Sequence, residues 1–258
     1  MSSVSRISGE LSGTYESLAS GKRINSGADD AAGLAIAEKE NIQIRGYEAG
    51  RNNMASAKDA INIADGALGS INDYLQRIRE LAVAASNTAT VSDSDREAMQ
   101  KEVAQLLQGI GDAAENTQYN TNPLLDGSKT DFTVATDSNG NSTTVSMADA
   151  TLASLGIKDF DLTKDFNIGV IDDAISKVNE ARSSMGAQSN RLEYAMNYNS
   201  SASYYATQAV SRIEDLDYPE AVTEQKKEEA LLQYSLLLQK KKAEEEEKTA
   251  SRLFNTMA

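Results

Sequence analysis

Between Met54 and Ala85, small or apolar side chains recur at Met54, Ala57, Ile61, Ala64, Leu68, Ile71, Leu75, Ile78, Ala82 and Ala85, in steps of three and four that alternate without a slip. That is the seam of a heptad repeat. As a helix the stretch would extend about 48 Å at about 1.5 Å per residue, and its apolar stripe is too narrow to wrap a globular core. It suits lying along another helix, so the chain must supply a partner of similar length. No proline interrupts the stretch, and Gly66 and Gly69 each cost it about 1 kcal/mol relative to alanine.

Composition narrows the function classes. With 2 Pro, 4 Phe and no Trp in 258 residues, a long alanine-rich helical body fits better than an aromatic core. The net charge of -14 argues against nucleic-acid binding, which needs a basic face. No run of 18 apolar residues exists, so no membrane insertion is expected. The opening MSSVSRISGELSG has no basic segment leading into an apolar one, which leaves the cytoplasm or an export route without a cleaved signal. The absence of Cys and His removes disulfides, thiol chemistry, His-ligated metals and the common Ser-His and Cys-His nucleophile systems. We expect no enzyme, no cofactor and no metal. Asp29 and Asp30 read as helix-capping carboxylates, and Asp137 to Asn141, which lacks calcium-loop spacing, reads as a turn.

Taken in order, residues 1 to 21 carry Val4, Ile7, Leu11 and Leu18 at helical spacing, weakened by glycines and serines, and should order only when packed. Gly21 to Gly27 reads as an elbow, with Ser26 or Asp29 capping a helix from about 30 to 86. After SNTATVSDSD, a second helix begins at Asp93 or Asp95 and folds back on the first through Met99, Val103, Leu106, Leu107 and Ile110. Residues 116 to 130 read as a loop, and FTVATDSNGNSTTVSM as a β-hairpin around Asn139-Gly140. From Ile168 to about Asp217 runs the missing partner helix, with Ile171, Ile175, Val178, Met185 and Leu192 near one face; Pro219 should stop or kink it. A last, highly charged helix follows, in which lysine-glutamate pairs on a solvated face explain KKKAEEEEK.

The stretches SLASGKRINSGADDAAGLAIAEK, QIRG at 43 to 46 and LQRIRELAVAASN at 75 to 87, with IDDAISKVNEARSSMGAQSNRLEYAMNYN and AVSRIEDLDY towards the other end, resemble bacterial flagellin. The resemblance covers roughly 15 to 127 and 155 to 218. It departs from the family in a shortened N-terminal segment, in the charged LLLQKKKAEEEEK ending, and in the short link between the halves, which leaves no room for large outer domains.

The resemblance implies a mainly α fold: an elongated antiparallel long-helix bundle, the flagellin rod domain, with one small β-hairpin region and coiled-coil-like terminal helices. Its divisions are 1-28 (N-terminal core helix and elbow), 29-127 (first half of the rod), 128-167 (hairpin and connection), 168-218 (second long helix) and 219-258 (C-terminal core helix). It implies a structural subunit of the extracellular flagellar filament, exported without a signal peptide through the flagellar type III apparatus with its export chaperone. Such subunits polymerise with other flagellin subunits beneath a filament cap. Candidate self-assembly residues are Val4, Ile7, Leu11 and Leu18 at one end and Leu231, Leu232, Leu236 and Leu238 at the other. The resemblance further implies that Gln76, Arg77, Leu81 and Glu102 form a patch recognised by the vertebrate Toll-like receptor for flagellin. The alternatives are a hook-filament junction protein and a non-flagellar helical-bundle interaction module.

Overall fold

The computed structural model describes residues 3–257, with side chains from Val4 to Ser251. Residues 1, 2 and 258 of the expected terminal segments lie outside the described residues. The chain is mainly α: α1 (Ser3–Ser20), α2 (Ala31–Ala85), α3 (Asp93–Asn116), α4 (Leu152–Leu155), α5 (Gly169–Glu214) and α6 (Tyr218–Met257), with strands β1 (Gln118–Tyr119), β2 (Asn122–Pro123), β3 (Asp131–Ala135) and β4 (Ser142–Ser146). It divides into two compact units, one of Met1–Ile42 with Tyr204–Ala258 and one of Gln43–Ser203. No helix among the described residues is long and apolar enough to cross a membrane.

In the second unit the heptad seam of α2 is the centre of the core. Met54, Ile61, Ala64, Leu68, Ile71, Leu75, Ile78, Ala82 and Ala85 are buried, joined by Val103, Leu107, Ile110 and Ala114 of α3 and by Ile171, Ala174, Val178, Met185 and Leu192 of α5. Leu68 and Leu192 thus sit in one hydrophobic cluster. Three ion pairs bridge α2 and α5: Lys58 to Glu193 at 2.7 Å, Asp65 to Arg182 at 2.9 Å and Arg79 to Asp172 at 2.6 Å. Residue numbers rise along α2 as they fall along α5, which makes the pairing antiparallel. All three pairs keep substantial contact with solvent, so they set register more than stability.

Helix starts differ in detail from the sequence reading. Asp30, not Ser26 or Asp29, caps α2, its carboxylate accepting the Gly33 N–H at 2.8 Å. Asp29 instead folds the elbow, accepting the backbone N–H groups of Asn25 at 3.0 Å and Ser26 at 2.8 Å. These bonds to Ser26 and Asn25 hold its carboxyl below the ordinary value. Ser92 caps α3 in a capping box with Asp95, and the helix begins at Asp93, one of the two expected starts. The final helix break also moves: α5 ends at Glu214, and Pro219 falls in the first turn of α6. There its missing amide hydrogen has no helical partner to lose, so this proline opens a helix rather than closing one.

The β3–β4 ladder pairs Phe132 with Val145 and Val134 with Thr143, and turns Val134 and Val145 inward. Its turn is a loop, Thr136 to Asn141, closed by the Thr136 N–H donating to the Asn141 carbonyl at 2.8 Å. The loop lies so close to α2 that a Cβ on Gly50 would meet the Thr136 carbonyl oxygen at 1.8 Å, and one on Gly46 the Ser138 Cβ at 2.1 Å. Asn199 of α5, itself buried, donates its Nδ2 to the same Thr136 carbonyl at 2.7 Å. A further small hairpin, β1–β2, occupies the segment expected to be a loop. Asn120 and Thr121, both at positive φ, form its turn, and a two-residue strand is too short for alternation to announce it.

Candidate assembly and recognition surfaces

The candidate self-assembly residues lie in the first unit, on α1 and α6, which pack against each other. Val4, Ile7, Leu11, Thr14, Ser17 and Leu18 are the half-buried positions of α1, again at steps of three and four. Ala221, Val222, Gln225, Glu228, Glu229, Leu232 and Ser235 answer them on α6. The seam is partly polar: Thr14 donates to Glu228 at 2.9 Å and Tyr15 to Glu229 at 2.7 Å. Of the α6 candidates, Leu232 faces the seam, whereas Leu231, Leu236 and Leu238 are exposed, with Leu237 and Tyr234 beside them at 60% exposure each. Two helices bury one stripe between them and leave the rest of each surface to solvent.

The elbow and the segment after α5 are brought together. Lys22 and Asp215 form an antiparallel bridge, the Arg23 N–H donates to the Glu214 carbonyl at 2.6 Å, and the Leu216 N–H donates to the Gly21 carbonyl at 3.0 Å. The Glu214 side chain, 6% exposed, accepts the Lys22 ammonium at 2.7 Å, and Arg23 reaches the Ile213 carbonyl at 2.7 Å. Tyr218 closes the clasp by donating to the Leu18 carbonyl at 2.9 Å. A buried carboxylate is costly unless paired, so Lys22 is the residue that makes Glu214 tolerable. The sequence predicts an elbow at Gly21 to Gly27 and a helix break near Pro219, but not these contacts. The signal available was GKRIN facing RIEDLDY, a basic stretch and an acidic one at corresponding places in the two halves.

The candidate recognition residues lie in the second unit. Arg77 is half exposed; its Nε donates to Glu102 of α3 at 2.7 Å and its Nη1 to Glu80 one turn on at 2.9 Å. Hydrogen bonding to Glu102, then to Glu80, pushes the Arg77 guanidinium further above its ordinary value. Gln76 beside it is exposed, while Leu81 is 7% exposed and belongs to the hydrophobic core. The structure therefore joins Arg77 and Glu102 across two helices, with Gln76 adjacent and Leu81 beneath. Both Glu102 and the neighbouring Glu80 are tied to the arginine, so the patch presents a fixed guanidinium-carboxylate pair.

Residues 1–130 match the family described as bacterial flagellin N-terminal helical region, and 168–243 match the bacterial flagellin C-terminal helical region. Among curated relatives, the chain is 38% identical over 218 residues to a flagellin of Halalkalibacterium halodurans, covering 81% of this chain and 79% of that protein. It is 36% identical over 247 residues to a flagellin of Bacillus subtilis, covering 81% of each. Among solved structures, Bacillus cereus flagellin superposes with a TM-score of 0.51 at 32% identity, over 57% of this chain and 88% of that one.

Proposed function

The chain belongs to the bacterial flagellin family and is a structural subunit of the extracellular flagellar filament, and from this premise we propose how its parts divide that work. Residues 1–28 and 219–258 act as the assembly core, 29–127 and 168–218 as the rod, and 128–167 as the hairpin that braces it. The observation that carries this reading is the row of exposed leucines on α6, Leu231, Leu236, Leu237 and Leu238, next to a seam already occupied by α1. Each square ångström of apolar surface that neighbouring copies cover contributes about 25 cal/mol. Val4, Ile7, Leu11, Leu18 and Leu232 hold the helix pair, and the outward leucines join it to other copies. The subunit reaches its site through the flagellar type III apparatus with an export chaperone, adds beneath the filament cap, and catalyses no reaction.

Incubating the purified chain with flagellin seeds and imaging by electron microscopy tests this: seeds lengthen in the wild type and not with Leu236 and Leu238 both changed to Ser. Seeds that are capped without lengthening would instead assign a junction role.

The second surface, Gln76, Arg77 and Glu102 over Leu81, is the proposed site for the vertebrate Toll-like receptor for flagellin. Its support is that Arg77 presents a planar donor fork held in place by two carboxylates. Arg77→Ala should weaken binding of the purified receptor ectodomain; an unchanged affinity removes the assignment.

A further inference from the structure

The tip of the β3–β4 hairpin carries chemistry that assembly does not use. Within the loop Thr136 to Asn141, the Asp137 carboxylate collects the Asn139 N–H at 2.8 Å and the Asn141 N–H at 3.2 Å on Oδ1, and the Asn141 Nδ2 at 2.6 Å on Oδ2. The Gly140 amide lies between two engaged amides and has no hydrogen-bond partner among the described residues, and the Asn139 side chain has none there either. Both residues are exposed. Gly140 sits at φ +83 with no atom within 4 Å of where a Cβ would stand. An asparagine amide followed by glycine is the pairing in which a backbone nitrogen reaches the side-chain carbonyl carbon with least obstruction, because residue n+1 has no Cβ in the way. Hydrogen bonding of that nitrogen would slow the step, and here it is unbonded.

We propose that Asn139 is a site of spontaneous modification, converting through a succinimide formed with Gly140 into a mixture of aspartate and isoaspartate. The Gly140 nitrogen adds to Asn139 Cγ, the Cγ–Nδ2 bond breaks, and the displaced amide nitrogen leaves as ammonia, carrying the proton lost from the Gly140 amide. Water then opens the five-membered ring: attack at Cγ gives aspartate, and attack at the Asn139 main-chain carbonyl gives isoaspartate, with the chain continuing through the side chain. The net change is one water consumed and one ammonia released, with no oxidant or reductant.

The neighbouring Asp126-Gly127 sequence supplies a contrast within the chain. Asp126 Oδ1 accepts Ser128 N–H at 3.0 Å and Ser128 Oγ at 2.7 Å, and a Cβ on Gly127 would meet Asp149 Cγ at 2.7 Å. The Asp126 carboxylate is ionised and held by Ser128, so it is a poor electrophile. Asn139 is neutral, open and beside a free nucleophile. Isoaspartate at 139 inserts a backbone methylene between two amides that converge on Asp137. The loop's seat on Gly46 and Gly50 should loosen while the β3–β4 ladder stands.

The test is to incubate the full folded chain at neutral and mildly alkaline pH and follow every asparagine by peptide mapping and mass spectrometry, with isoaspartate scored by an isoaspartyl methyltransferase. Asn139 should convert first, faster at higher pH, giving both products, at a rate within an order of magnitude of that in the urea-unfolded chain. Asn139→Gln, whose ring closure is one atom larger and slow, should abolish the isoaspartate signal with the far-ultraviolet circular dichroism unchanged. An intact Asn139 while other asparagines convert, or a folded rate slower than the unfolded one by more than that margin, overturns the inference.

Discussion

The core of residues 43–203 and the helix pair α1–α6 are written in the same spacing, yet they reach different degrees of completion. In the former, α2, α3 and α5 share one cluster, and Leu68, Ile71, Leu75 and Ile78 are fully buried. In the unit that holds that pair the buried apolar residues, among the described ones, are Ile24, Ala37, Val210 and Ala221, while Leu231, Leu236, Leu237 and Leu238 are exposed. The difference lies in how many surfaces meet each stripe. A helix covered by two others and a hairpin satisfies its apolar face within the chain; a helix covered by one does not. One heptad pattern thus gives a self-sufficient body in one place and an exposed apolar face, the proposed assembly surface, in the other.

The largest expected effect is in the self-sufficient body. Ile71→Ala should cost about 2–5 kcal/mol of stability, read by urea unfolding; a loss near zero would mean that the core tolerates a void and the contrast is false. Gly50→Ala comes next, because its methyl would occupy the place of the Thr136 carbonyl. A cost of about 1–3 kcal/mol is expected, together with faster hydrogen exchange in the 136–141 loop. Leu237→Ser should change monomer stability by no more than about 0.5 kcal/mol while reducing extension of flagellin seeds. A drop in melting temperature there would show that the leucine already has a partner in the monomer.

The smallest effect is the acid response. Asp29, hydrogen-bonded by Ser26 and Asn25, and Asp95, hydrogen-bonded by Ser92, have carboxyls held below their ordinary 3.8. Their contribution is complete above that value and is lost as pH falls through the lower folded values. Both are exposed, so acid titration should show a shallow decline beginning below about pH 4.

Much of this was readable in advance. The unbroken three-four alternation of Met54 to Ala85, with the Gly21 to Gly27 elbow before it and the SNTATVSDSD stretch after it, placed α2 within a residue at each end, and the apolar spacing from Ile171 to Leu192 supplied its partner. Residues 131–146 announced a ladder through β-branched runs around Asn-Gly. What escaped depends on contacts rather than periodicity. Leu81 looks like an exposed neighbour of Arg77 on a single helix, and is buried because α2 has companions on more than one side. Pro219 looks like a terminator until the chain is seen to leave the helix at Asp215 and re-enter at Tyr218. Thr14, Gln225 and Glu228 break an apolar pattern when read alone, and become legible only as a pair of facing helices.

The hydroxyl-carboxylate bonds across the α1–α6 seam bear on alignment. An apolar stripe that repeats every seven residues can slide along its mate by one repeat and bury nearly as much. Thr14 with Glu228 and Tyr15 with Glu229 meet at a single offset, so they act as the pins of a vernier. Every copy of the chain then carries its two tips at one fixed stagger, and a long polymer accumulates no error from subunits of unequal reach.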